Sequence, residues 1–301
     1  MKYNKYSLVG FLTLGLCAMP FVALGQIDAS APGGDATPGI PKTRPPAHYP
    51  GEEMIDVGGH KLQMVRGGQG SPTVVFESGM GGMIANWSRV VPMVNKFTST
   101  VTYARAGTGA SEMATGSRTP TAVMTELHVM LERAGIRPPY VIVGHSFGAL
   151  YARAFATMYP NEVVGIVLID GSWERSLIDI KKLDSDPKSP ATSVSPYAPP
   201  AAKAEYAGMA STFASGVLEV PGKLPDVPMV VLTSLKPPVP SVAYGDAITK
   251  LKRQRHTEIF ESTTYGMHIV TRKSGHNIQR DQPDLVVSAI RWVWDAAQES
   301  K

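Results

Sequence analysis

Val141-Ile142-Val143-Gly144-His145-Ser146-Phe147-Gly148-Ala149-Leu150-Tyr151-Ala152-Arg153-Ala154 is the segment from which the rest of the chain can be organised. Three β-branched residues run straight into Gly-x-Ser-x-Gly, and the residues beyond read as a helix. In that setting the serine must sit on a strained turn so that its oxygen projects from the sheet edge. The two glycines let the strand and helix backbones approach closely. Ser146 is therefore the candidate nucleophile. His145, inside the motif, reads as a packing residue, because neighbours on a turn face different ways.

Outward from this turn the pattern alternates. Upstream, Met54–Val57 and Lys61–Val65 flank Gly58-Gly59 as a hairpin, and Thr73–Phe76 and Thr100–Tyr103 are strand candidates. Apolar residues at helical spacing predict helices over 84–96 (Trp87, Val90, Val91, Val94) and 120–134 (Val123, Met124, Leu127, Met130, Leu131). Strand 140–143, helix 147–158 and strand 163–169 come next. Strand 228–232, helix 242–256, strand 267–272 and helix 283–298 complete the series. Such alternation predicts an α/β chain, with a mostly parallel central sheet carrying helices on both faces. Residues 172–225 break the rhythm with Ser, Pro and Ala and scattered apolar positions, and are expected to form a lid insertion.

Composition narrows the chemistry. In 301 residues, 43% are hydrophobic and 18% charged, enough to bury a core and too apolar for wholesale disorder. The single cysteine, Cys17, excludes internal disulfides, thiolate zinc sites and iron–sulfur clusters. The net charge of +4 falls to +2 without Lys2 and Lys5, leaving 27 basic against 25 acidic residues. The one short basic cluster, Lys252-Arg253-Gln254-Arg255, reads as a solvated helix turn. Nucleic acid is not an expected partner.

The elbow at Ser146 is joined by three further motifs. Glu77-Ser78-Gly79-Met80-Gly81-Gly82 comes after the third strand, Tyr103-Ala104-Arg105-Ala106-Gly107-Thr108-Gly109 after the fourth, and Ser274-Gly275-His276 after the last. Together these resemble the α/β-hydrolases over about residues 53–298, the insertion excepted. The resemblance implies a serine nucleophile, then an acid, then a histidine in chain order. Of the histidines after Ser146, His256 lies among basic residues and reads as solvated, and His268 falls at the wrong end of its strand. His276 lies just past a strand's carboxyl end, where sites in parallel sheets gather, and is the expected base.

The acid is less plain. Many relatives carry it after the strand at 228–232, where this chain has Thr233-Ser234-Leu235-Lys236-Pro237-Pro238. Asp170, one strand earlier, occupies the other position from which the family supplies it, although Asp170-Gly171 is also an ordinary turn dipeptide. Asp246 and Glu174 are the alternatives. The resemblance assigns the oxyanion donors to the amides of Phe147 and Met80. Arg105, following Ala104 where relatives often have aspartate, reads as structural.

These residues imply hydrolysis of a small-molecule ester or amide through an acyl-enzyme, with no metal or organic cofactor. An ester is expected first. An amidase or aminopeptidase would need an amine-binding carboxylate such as Glu205 or Glu219, and a non-catalytic binding protein would be the reading if the acid were missing. Trp87 and Trp173 are candidate pocket walls. Residues 1–25, with Lys2 and Lys5 before an apolar run and Ala23-Leu24-Gly25 at its end, read as a signal peptide of an exported protein. That leaves no membrane span after cleavage. Residues 26–50 read as a Pro/Gly-rich linker, and 51–301 as the hydrolase domain.

Overall fold

The computed structural model describes residues 49–184, 194–236 and 245–299. The expected signal peptide, with Cys17, and the linker up to residue 48 lie outside the described residues. Tyr49 already belongs to the turn that opens the first strand, its carbonyl accepting from the Glu52 amide at 3.0 Å.

Eight strands form one sheet: β1 (Glu52–Asp56), β2 (Lys61–Gly67), β3 (Thr73–Glu77), β4 (Thr100–Tyr103), β5 (Tyr140–His145), β6 (Val163–Ile169), β7 (Met229–Ser234) and β8 (Gly266–Thr271). Their spatial order is β1-β2-β4-β3-β5-β6-β7-β8. The hairpin β1–β2 and the β2–β4 pair are antiparallel, and the others are parallel. In the register Val75 faces Ile142 and Val143 faces Val167, which places β5 in the middle of the parallel region.

Alternation along the central strands feeds two cores. Val75, Tyr140 and Ile142 pack on one side, with Met124, Leu127 and Leu131 of α2 (Pro120–Arg133) and Leu150 and Phe155 of α3 (Gly148–Met158). Val74, Phe76, Val141 and Val143 pack on the other, with Val286, Ile290 and Val293 of a C-terminal helix, Pro283–Glu299. Each such side chain taken fully out of water contributes about 2 kcal/mol. Buried along its whole length, β5 is therefore an anchored platform for the turn at its carboxyl end. Thr119 caps α2 by accepting from the Ala122 amide, and Pro120 begins it.

The helix expected over 84–96 is not continuous. It divides into a 3-10 turn, Ile84–Trp87, and a single turn α1 (Val91–Val94), restarted at Pro92, whose ring cannot donate to a continuing ladder. Its apolar spacing still identified the buried side: Trp87, Val90 and Val94 are in the core.

Between β6 and β7 lie α4 (Ser176–Leu183), α5 (Pro200–Gly208) and α6 (Ala210–Ser215), so the segment expected as an insertion that breaks the rhythm carries three short helices. After β7 come α7 (Gly245–Phe260), α8 (Ile278–Asp281) and α9, the C-terminal helix. α8 is a short turn that the sequence pattern did not signal.

Candidate active site

Ser146 occupies the turn between β5 and α3, with φ at 55°. The two glycines around it are sterically required. A Cβ on Gly148 would come 2.4 Å from the Glu77 carbonyl oxygen, and one on Gly144 would come 2.6 Å from that of Gly148. The elbow is held from β6, because the Ser146 amide donates to the Ile169 carbonyl at 3.0 Å. Its own carbonyl accepts from the Ser172 amide at 2.9 Å.

The structure brings Ser146, His276 and Asp170 together. The Ser146 hydroxyl lies 2.8 Å from His276 Nε2, and His276 Nδ1 lies 2.8 Å from Asp170 Oδ2. The His276 side chain is 45% exposed, whereas that of Asp170 is 1% exposed. Burial would raise the Asp170 carboxyl. The hydrogen bond from His276 and the charge of Lys252 outweigh it, and hold the group at about 2. The Ser234 amide donates to Oδ1 at 2.9 Å, and Lys252 Nζ lies 2.8 Å from the same oxygen. The two alternatives for the acid are elsewhere: Glu174 pairs with Arg153 at 2.5 Å, and Asp246 stands in the first turn of α7.

The loop bearing His276 is tied down on both sides. The Ser234 hydroxyl donates to the Ser274 carbonyl at 2.8 Å, and the Gly275 amide to Asp281 of α8 at 3.1 Å. His145 is buried and its Nε2 lies 3.0 Å from the His276 carbonyl, so that nitrogen carries the proton. Burial, with the neighbouring His276, lowers the His145 imidazole to about 4 and keeps it neutral.

Phe147 follows the serine directly, and Met80 follows Gly79 in the loop after β3. That loop runs against the serine, since a Cβ on Gly79 would be 3.3 Å from that of Ser146. Among the described residues, no acceptor is found for the Met80 or Phe147 amide. Phe147 is buried, its ring 5.6 Å from Tyr151 and 6.1 Å from Phe213 of α6, while the Met80 side chain is exposed.

Arg105 fixes this loop. Its Nη1 donates to Glu77 at 2.9 Å and the Ser78 carbonyl at 2.8 Å, and its Nη2 to the Gly79 carbonyl at 2.7 Å. Its Nε and Nη2 donate to Glu205 of α5 at 2.7 and 3.0 Å. All five guanidinium protons are used inside the protein, which leaves none for a ligand. Glu205 also accepts from the Gly81 amide at 3.2 Å.

Four sequence expectations need correction. Glu205, thought available to bind an amine, is fully buried and committed to Arg105 and Gly81. Trp87 and Trp173 are buried and donate to Ser78 and Asp179, so they support the surroundings and are not exposed walls. His256 is buried, with Nε2 2.7 Å from the Gly171 carbonyl and Nδ1 2.6 Å from the Thr233 hydroxyl. The basic cluster is not a solvated turn either: Lys252 reaches Asp170, and Arg255 pairs with Asp179 at 2.8 Å. Helical period would have put positions 252, 255 and 256 on one face, but the charges concealed it.

A strained serine thus stands between a parallel strand and its crossover helix, with a histidine and a carboxylate in line, at the carboxyl edge of an α/β sheet. The sequence profile of the alpha/beta hydrolase family matches residues 74–289, and the chain belongs to that family. An uncharacterized protein of Bacillus subtilis, YqjL, is 28% identical over 240 residues, covering 77% of this chain and 87% of that one. Another B. subtilis protein, YbdG, is 32% identical over 120 residues, but only 37% of its length is matched. Among solved structures, mouse alpha/beta hydrolase domain-containing protein 10 superposes with a TM-score of 0.63 at 14% identity, covering 81% of this chain and 98% of that one. A thermophilic esterase from Thermogutta terrifontis gives 0.60 at 19% identity, covering 82% and 99%. Likeness at that distance concerns the fold.

Proposed function

We propose that this protein is a serine hydrolase that cleaves carboxylic esters through an acyl-enzyme. The observation that carries the reading is the in-line chain Ser146–His276–Asp170, with both contacts at 2.8 Å. Ser146 Oγ attacks the ester carbonyl while His276 Nε2 takes its proton. Asp170 accepts from Nδ1, fixes the tautomer and stabilises the imidazolium. The Met80 and Phe147 amides receive the oxyanion. His276 then returns the proton to the departing alkoxide, and water repeats the sequence to release the acid.

Phe147, next to the serine in sequence, packs against Phe213, which in turn meets Tyr206, the last two from the α5–α6 insertion. That placement supports the insertion as a lid that selects the acyl or alcohol group. Aminopeptidase action is disfavoured because neither carboxylate considered for amine binding is free: Glu205 is buried on Arg105, and Glu219 meets Ser211 at the surface. The alternative of a non-catalytic binding protein rested on a missing acid, and the contact of Asp170 with His276 speaks against it. Export is part of the proposal on the character of residues 1–25, and Gln26 is the expected mature N-terminus. Among the described residues no helix is long and apolar enough to cross a membrane.

A fluorophosphonate probe tests the core of this reading. Stoichiometric labelling of wild type that is lost in Ser146→Ala is expected, with faster turnover of p-nitrophenyl esters than of p-nitroanilides. A folded wild type that neither labels nor hydrolyses esters would sink it.

A further inference from the structure

Lys252 is nine-tenths buried, and a lysine is not placed in a protein interior without a partner. Its ammonium lies 2.8 Å from Asp170 Oδ1 and 3.0 Å from Oδ2. Oδ2 is also the oxygen that accepts from His276 Nδ1 at 2.8 Å. One carboxylate oxygen therefore receives both a fixed cation and the imidazole that must become a cation in the reaction.

We propose that Lys252 is a positioning residue for Asp170 that also sets the acid limit of the enzyme's working range. The inference rests on the Ser146–His276–Asp170 triad proposed for ester hydrolysis. Lys252 acts on the carboxylate in two ways. The ammonium spans both oxygens and, with the Ser234 amide, fixes the plane of the carboxylate facing His276. It also cancels much of the negative charge that Asp170 presents to the imidazole, so the acid limb of the rate depends on the charge at position 252.

Among the described residues, Lys252 is the cation in contact with this pair. From β5, His145 is neutral and bonded to the His276 carbonyl. From α7, His256 is held neutral by burial and directed at Gly171, and from β8 His268 meets Thr233 at 2.8 Å. Asp281 of α8 accepts from the Gly275 amide. Lys236, after β7, donates to the Lys273 carbonyl. Arg255 and Asp179 of α4 satisfy each other, as do Arg153 and Glu174.

The test is the pH dependence of kcat/KM on a p-nitrophenyl ester, with wild type first shown to label at Ser146. Lys252→Met is expected to move the acid limb upward by about one pH unit, since a full neighbouring charge is removed from the dyad. Near pH 6 the variant then falls roughly tenfold further below wild type than it does at pH 8. Lys252→Gln keeps a donor for Asp170 without the charge and should shift the limb likewise. Lys252→Arg should leave it in place. A uniform loss at every pH with an unmoved limb would overturn the proposal. So would unfolding of both neutral variants beside a folded, active arginine variant, which would assign Lys252 to stability alone. If wild type neither labels nor turns over ester, the hydrolase reading itself has failed.

Discussion

Ser146 and Asp170 stand just past the carboxyl ends of adjacent parallel strands, and both hold left-handed backbone, at φ of 55° and 43°. They are the two non-glycine residues with positive φ among those described. A strained backbone at each position aims a short side chain out of the sheet, and His276 closes the gap between them. Asparagine tolerates this conformation nearly as well as aspartate, so Asp170→Asn separates charge from backbone. The expected result is a folded protein whose kcat on esters falls by about 10³- to 10⁴-fold, because the imidazolium loses its counter-charge and tautomer control. Glu174→Gln and Asp246→Asn should remain within a few-fold of wild type. Steady-state kinetics on the three variants decides which carboxylate is the acid.

Glu205 ties the insertion to the loop that carries the Met80 amide. Replacing it by alanine leaves Arg105 Nε without an acceptor beside a largely protonated Glu77 and frees the Gly81 amide. Removing one partner of a buried ion pair costs about 3–5 kcal/mol, which lowers Tm by roughly 10 °C for a domain of this size. Glutamine retains part of the bonding and is expected to fold. Its kcat should drop by roughly 10-fold or more through a displaced oxyanion donor, with KM little changed. A variant whose KM rises while kcat holds would instead place Glu205 in substrate binding.

The fold and the candidate site residues were readable because they obey local rules. The strand period, the crossover helices and the glycines at 144 and 148 all answer to backbone geometry within a few residues of Ser146. Chain order then reduced the histidines to His276. What escaped was long-range pairing. Glu205 lies 100 residues from Arg105, and Lys252 lies 82 from Asp170. Each pair looks like ordinary surface charge until the chain folds over it. The break at Pro92 was visible in principle, since a proline within a helical pattern ends or restarts it. The helices of the insertion were hidden because their buried positions mix Ala201, Ala202 and Thr212 with the charged Glu205, and only Phe213 among them gives strong apolar contrast.

Glu77 makes the loop after β3 sensitive to pH. Burial pushes its carboxyl up to about 7, against the opposing influence of Arg105 and the Tyr103 hydroxyl. Between the ordinary glutamate value and 7 the folded protein holds a proton that the unfolded chain has released. Stability from this group therefore falls as pH rises through that window. Above it, Arg105 faces two buried carboxylates instead of one. Glu77→Gln cannot ionise and lacks this dependence. Wild type should lose about 2–3 kcal/mol relative to that variant between pH 5 and pH 8. Urea unfolding of both proteins across the range measures it, and a pH-independent difference between them would count against the assignment.

Acidification acts in the opposite direction through three histidines. Burial lowers His145, His256 and His268 to about 4 each, so all three stay neutral in the folded state. The unfolded chain protonates them near 6.5. As pH falls from 6.5 toward 4.5, unfolding takes up three imidazole protons and releases the one on Glu77. The net uptake is roughly two protons, a slope of about 3 kcal/mol per pH unit. Asp170, held at about 2, adds its own loss mainly as pH falls below about 4. His268, which is less enclosed than His256, is the practical site for a test. His268→Gln keeps a donor for the Thr233 hydroxyl and should reduce the slope by about one proton. Denaturation midpoints from pH 4.5 to 7 measure it. A wild-type curve that is flat across that interval would mean that these imidazoles are charged in the folded protein.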